Sequence, residues 1–168
     1  MKILYLAAGH GRLNTKHEVI YQDLIVKRDL PGDMLDVDLN GYDLIIATPP
    51  CNYYSRANYR RKTSNYSNHT KHLLPDIISK LETLDVPVII ENVINKKLMD
   101  FILQKTTLFY NEVGRHCYFT NRLVNFSCIP QKYDFEYGGK PIQNLSRNAR
   151  QGGKNVQLVL EHYIEACF

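Results

Sequence analysis

The stretch Tyr42-Asp43-Leu44-Ile45-Ile46-Ala47-Thr48-Pro49-Pro50-Cys51 (YDLIIATPPC, residues 42–51) decides the fold class. Its apolar run shows no polar alternation, the mark of a strand buried on both faces of a parallel sheet. A double proline then stops it, because proline cannot donate to a sheet ladder. Similar runs flank it. KILYLAA (2–8) predicts a first buried strand that turns into Gly9-His10-Gly11-Arg12. HEVIYQD (17–23) predicts a second strand ending on an acid, RDLPGD (28–33) is turn chemistry, and MLDVDL (34–39) is a third candidate strand. Downstream, VPVIIENV (86–93) predicts another buried strand, ending on Glu91-Asn92.

Helical spacing separates these strands. HLLPDIISKLETL (72–84) predicts a helix with Pro75 in its first turn, and NKKLMDFILQK (95–105) a second. GRHCYFTNRLVNF (114–126) predicts a strand or hairpin, 130–154 reads as loop, and QLVLEHYIEAC (157–167) closes the chain as a helix. Strands alternating with helices predict an α/β fold with an open, mostly parallel sheet and flanking helices. In such sheets ligands sit at the carboxyl ends of the strands. The glycine turn, Asp23, Asp38, Pro49-Pro50-Cys51 and Glu91-Asn92 all fall at such ends.

Composition agrees. The 168 residues are 44% hydrophobic and 23% charged, which suits one globular domain and excludes collagen, coiled coil and bulk disorder. No run approaches the ~18 apolar residues that span a bilayer, and the N-terminal run enters glycines, as a strand does and a signal peptide does not. Cys51, Cys117, Cys128 and Cys167 are scattered without a CxxC or a zinc-like spacing, which predicts a cytoplasmic protein without a metal site. His10, His69 and His162 read as surface or packing residues.

Cys51 is the candidate nucleophile. A lone cysteine is more often a small buried hydrophobe. Here two prolines fix the approach, Glu91 ends another strand, and Arg56, Arg60 and Arg61 follow in a position to favour a thiolate. Residues 52–72 hold five Lys/Arg, two His and four Tyr without a single acid. Cations among Tyr and Asn suit phosphates and an extruded base, although such a run is also what a solvated loop looks like.

These residues resemble the DNA (cytosine-5) methyltransferase family. Pro49-Pro50-Cys51-Asn52-Tyr53-Tyr54-Ser55 is similar to its Pro-Cys motif, and Glu91-Asn92-Val93 to its Glu-Asn-Val motif, in the family's order and each after an apolar strand. The resemblance runs from Met1 to about Phe119, and more thinly to the end, and implies a reduced, Rossmann-like class I methyltransferase core. It implies that Cys51 adds to C6 of a cytosine while Glu91 contacts N3 and the exocyclic amine. Asn92 reads as a loop-holding residue. Leu6-Ala7-Ala8-Gly9-His10-Gly11 resembles the family's first loop, which implies S-adenosylmethionine as cofactor near Gly9 and Gly11. Asp23 resembles the ribose-binding acid and Asp38 the acid near the adenine, with Asp33 and Asp36 as rivals. Gln151-Gly152-Gly153-Lys154-Asn155-Val156 echoes the closing Gly-Asn-x-Val motif, which gives Asn155 a place beside the cofactor. Ser55 would meet the phosphate beside the flipped base, with Arg56, Arg60 and Arg61 on the DNA backbone.

The chain departs from the pattern twice. Only LNTKH lies between Arg12 and the second strand, so the first helix is cut to about one turn. Arg115-His116-Cys117 stands where the family has paired arginines, with Cys117 in the second place. Arg115 is the remaining candidate for the substrate carbonyl, with His116 as its substitute. Between this segment and the closing motif lie about 30 residues (120–154 at most), too few for an ordinary target-recognition domain. Recognition is then very short, falls to the 52–72 loop, or comes from a partner or a second copy. The reading is methyl transfer to C5 of cytosine in DNA. Two alternatives stand beside it: a decayed methyltransferase fold that binds DNA or a protein, and an enzyme acting on a free or single-stranded pyrimidine nucleotide.

Overall fold

The computed structural model describes residues 1–55, 58, 63, 65–129 and 145–168, of which 145–155 as backbone alone. The chain order is β1 (Lys2–Leu6), β2 (Glu18–Asp23), β3 (Leu30–Pro31), β4 (Leu44–Ala47), α1 (Asn65–Thr70) and α2 (Leu73–Leu81). Then come β5 (Val88–Val93), α3 (Lys96–Leu103), β6 (Phe109–Val113), β7 (His116–Thr120) and α4 (Leu145–Cys167). The strands form one sheet in the order β3-β2-β1-β4-β5-β7-β6. Every pairing from β3 to β5 is parallel, and β7 runs antiparallel to both β5 and β6. This is the open, mostly parallel α/β sheet that the apolar runs predict.

Strand alternation sorts the apolar residues into two layers. Leu4, Leu6, Ile45, Ala47, Val88 and Ile90 pack under α2 and α3, through Leu74, Ile77, Leu81, Met99 and Ile102. Ile3, Tyr5, Leu44, Ile46 and Ile89 face the other way, against Val159, Leu160, Tyr163 and Ile164 of α4. The Tyr163 hydroxyl donates to the Val88 carbonyl (2.8 Å), so its buried polar end is satisfied. α4 thus covers a face that crossover helices cover in a doubly wound fold.

The chain moves outward from β1 to β2 and β3, then returns to the other side of β1 as β4. The switch point, where such sheets open a crevice, therefore lies outside the carboxyl ends of β1 and β4.

Four local expectations need correction. No helix separates β1 from β2. MLDVDL does not form a strand; the third strand is Leu30–Pro31, inside the segment expected to turn. Asp33 accepts the Leu35 N–H (2.9 Å) and Asp38 the Asn40 N–H (3.0 Å), and such side-chain bonds compete with a ladder. Lys80 then takes the carbonyls of Leu35 (2.6 Å) and Val37 (2.9 Å). Residues 51–71 are not all loop: α1 lies within them, and Tyr54 is a core residue at 2% exposure. Finally, α4 begins at Leu145 and takes in much of the segment read as loop. Gly152-Gly153 hid it, since glycine is a poor helix former.

Candidate active site

The crevice is built from four strand ends. β4 runs out at Ala47, and Thr48 is held on both sides of its backbone. Its N–H donates to the Leu6 carbonyl (3.1 Å) and its hydroxyl to the Ala7 carbonyl (3.0 Å). Pro49, Pro50 and Cys51 follow. The Asn92 side-chain amide donates to the Pro49 carbonyl (3.1 Å), and Asn95 does the same for Tyr54 (2.9 Å). Proline has no N–H of its own to fix the turn, so asparagines from the end of β5 supply the bonds. Asn92 is fully buried and holds the loop, as its sequence context suggests.

Cys51 is half-buried. Burial, and then the Glu91 carboxylate, push its thiol above the usual range. Arg56, Arg60 and Arg61, expected to favour the thiolate, lie outside the described residues. Among the described residues, burial and Glu91 therefore oppose ionisation of Cys51. Ser55 is half-buried, and its N–H donates to the Cys51 carbonyl (2.8 Å), closing the turn that carries the thiol.

Glu91 lies in β5, 9% exposed. Its Oε1 is 2.5 Å from His116 Nδ1 in β7. The β5–β7 register, Glu91 opposite Tyr118 and Val93 opposite His116, puts Glu91, His116 and Tyr118 on one face. Cys117 points to the other face, fully buried, with its thiol donating to the Asn92 carbonyl (3.4 Å). A charged arginine there would enter the apolar layer under α2 and α3, and a small buried thiol suits it. Arg115 is exposed in the turn before β7, where its carbonyl accepts the Ile94 N–H (3.0 Å). His116 is a residue that the fold brings to Glu91. The strand alternation of 115–119 carried that signal once the register with β5 was known.

The other half of the crevice is the glycine loop. Ala7 (φ 51°) and Gly9 (φ 53°) both take left-handed backbone, strained for alanine and free for glycine. A Cβ on Gly11 would meet the Ala8 carbonyl at 2.9 Å and the Tyr5 hydroxyl at 3.3 Å, so only glycine fits. Buried Gln22 accepts the Ala7 N–H (2.9 Å) and donates to the Gly32 carbonyl. Asp23 accepts from Gly9 N–H (2.7 Å) through one oxygen, and from Ile25 (2.8 Å) and Val26 (2.9 Å) through the other. Partial burial opposes the charge of Asp23. The N–H groups of Val26, Ile25 and Gly9, with the Arg28 guanidinium, outweigh it and hold the carboxyl below its ordinary value.

Arg28, which no sequence pattern marks, donates to the Gly9 carbonyl through Nε (2.7 Å) and to the Gly11 carbonyl through Nη2 (3.2 Å). It packs over Tyr21, as Arg12 does. A guanidinium and a carboxylate thus shape the loop that the missing helix would have followed.

Asp38 is exposed and tied to Asn40 (2.7 Å) on the way back to the amino end of β4. Asp33 lies two residues past the carboxyl end of β3. Both line a groove of about 410 Å³ with Gly32, Asp36 and Tyr42. Of the three rival acids, Asp33 has the position that a ligand at the strand ends would meet. Asn155 lies on α4, its side chain outside the described residues. No cluster of metal-ligating side chains occurs among the described residues, and no helix of the described chain is long and apolar enough to cross a membrane.

No family model matches the chain, and no curated protein matches it. Among solved structures, the methyltransferase EhMeth of Entamoeba histolytica aligns at 14% identity with a TM-score of 0.45. The alignment covers 76% of this chain and 54% of that one, so the chain matches about half of its length.

Proposed function

We propose that the chain is an S-adenosylmethionine-dependent methyltransferase that modifies C5 of cytosine in DNA. The observation that carries this reading is the pairing of Cys51 and Glu91. A cysteine on a braced Pro-Pro turn at the end of β4 lies within electrostatic reach of a carboxylate at the end of β5. C5 of cytosine is a poor nucleophile until C6 is attacked. The Cys51 thiolate adds to C6 as N3 takes a proton through Glu91, which also accepts from the exocyclic amine, and the ring electrons are left as an enamine with its density at C5. C5 then takes a methyl group, its proton passes to water, and the thiolate leaves C6 as N3 returns its proton, which restores the ring.

The residues of the other half fit the cofactor by their donor chemistry. Asp23 and Asp33 offer acceptors for hydroxyl or amine groups, Arg28 offers a cation for a carboxylate, and Gly9 and Gly11 let the backbone approach. When bound, the cofactor supplies an electrophilic methyl group. The basic run from Ser55 through Arg56, Arg60 and Arg61 is the proposed path for the DNA backbone. Arg60→Ala with Arg61→Ala is expected to lower the slope of log affinity against log salt by about two; an unchanged slope removes the loop from the DNA interface.

The deciding experiment offers the chain S-adenosylmethionine and duplex DNA containing 5-fluorocytosine. With fluorine at C5 there is no proton to lose, so Cys51 stays bonded to C6 and a covalent complex forms. A complex that maps to the Cys51 peptide supports the reading, and none at any DNA concentration removes it. The same assay with a free or single-stranded fluorinated pyrimidine nucleotide separates the substrate forms.

A further inference from the structure

The crevice contains a carboxylate–imidazole contact that the proposed chemistry has not used. His116 Nδ1 and Glu91 Oε1 are 2.5 Å apart, with side chains only 21% and 12% exposed. The β5–β7 register sets the contact, so it does not depend on a flexible loop. The second ring nitrogen of His116 has no partner among the described residues. At 2.5 Å a single hydrogen is shared between Nδ1 and Oε1.

The groups around the pair come from every neighbouring strand. Tyr5 of β1, Cys51 after β4, and Cys117 and Tyr118 of β7 all feel Glu91. Burial first, and Glu91 among the further causes, push Tyr5 and Cys117 up to about 12, and Tyr118 higher still. These three stay uncharged near neutrality. Glu112 on β6 is taken by Lys96 (3.0 Å) and Tyr110 (2.8 Å), and Arg115 lies in the exposed turn. Among the described residues in contact with the pair, the groups left to carry charge are therefore Cys51, Glu91 and His116.

We infer that His116 is the positioning residue of this site. It holds Oε1 of Glu91, leaving Oε2 to face a bound pyrimidine, and in its protonated form it offsets the carboxylate's charge at the Cys51 sulfur. Histidine, unlike arginine, can lose its charge, so the site gains a proton-dependent control that an arginine in the same place would not give. The inference rests on Cys51 as the proposed nucleophile.

The test reads Cys51 directly. The full chain and its His116→Asn, His116→Ala, Glu91→Gln and doubly substituted Glu91→Gln/His116→Asn variants are first compared by circular dichroism. Each is then alkylated with iodoacetamide from about pH 6 to 9.5. Peptide mass spectrometry follows Cys51, with exposed Cys128 as internal reference.

His116→Asn keeps a neutral donor near Nδ1 but loses the charge. It is expected to slow Cys51 alkylation roughly threefold to tenfold near neutral pH. Glu91→Gln is expected to speed it, and His116→Asn to add nothing in the Glu91→Gln background. In methyl transfer, His116→Asn lowers kcat with KM for DNA held, while His116→Ala worsens both.

An unchanged rate in folded His116 variants overturns the inference, as does equal slowing with and without Glu91. If both His116 variants fail to fold, the wild-type profile decides. Two ionisations feeding the rate, the lower one lost in Glu91→Gln, support it; a single ionisation overturns it. Absence of methyl transfer by the wild-type chain would sink the proposed reaction while leaving the alkylation result to stand or fall alone.

Discussion

The two halves of the crevice are braced by different means. On the β4–β5–β7 side, the strands themselves place the side chains: the β5–β7 register sets Glu91 and His116 diagonally on one face, and Asn92 anchors the Pro49 carbonyl from within β5. On the β1–β2–β3 side the strands shrink, β3 to two residues, and side chains do the positioning. Gln22, Asp23 and Arg28 together hold the loop between Ala7 and Gly11. A sheet register resists a single substitution because many backbone bonds share the load. A loop held by three side chains does not. The reacting half should therefore lose chemistry on mutation while keeping its fold, and the glycine-loop half should lose shape and ligand affinity together.

The largest effect expected is from Cys51→Ala. Methyl transfer should fall by on the order of 10⁴-fold or more, as when a nucleophile is removed, with the melting temperature held within a few degrees. Residual transfer within tenfold of wild type would break the contrast at its centre. Asn92→Ala tests whether the register alone suffices. It strands the buried Pro49 carbonyl and is expected to cost about 1–3 kcal/mol in denaturant unfolding, with a loss of Cys51 alkylation selectivity.

Gly11→Ala probes the weaker half. Its Cβ would meet backbone at 2.9 Å, so a loss of about 1–3 kcal/mol is expected along with weaker S-adenosylmethionine binding by calorimetry. If stability falls while binding is untouched, the loop is a structural turn only. Asp23→Asn gives the smallest effect. Asp23 is held below its ordinary value when folded, so it stabilises the protein above the unfolded carboxyl value and loses that contribution as pH falls through the folded one. The variant should be less stable at neutral pH and show a flatter decline in acid, measured as unfolding midpoint against pH. A decline as steep as wild type would show that Asp23 is not held by the loop.

The legible part of the fold was the part written in apolar runs. KILYL, LIIA and VIIENV have no polar alternation because both faces are covered, and they are the three central strands. The edges were harder. Leu30–Pro31 looked like a turn because Pro31 and Gly32 belong to turns more often than to strands. MLDVDL looked like a strand because nothing in its spacing reveals that Asp33 and Lys80 bind its backbone.

At the site, Cys51, Glu91 and Asn92 could be read from their places at strand ends. His116 could not be ranked above Arg115 until β7 had a register. Arg28 depends on the fold of a loop nineteen residues from it and left no mark in any local pattern.

The C-terminal helix has a consequence for how this chain is made. Ile3, Ile46 and Ile89 rest on Val159, Leu160, Tyr163 and Ile164, residues that a ribosome adds well after the strands they cover. While the polypeptide is being synthesised, that whole flank of the sheet faces water, and its apolar side chains are free to meet other nascent chains. Closure of that flank waits until α4 has been made, and any delay before then hands the exposed strands to chaperones or to aggregation.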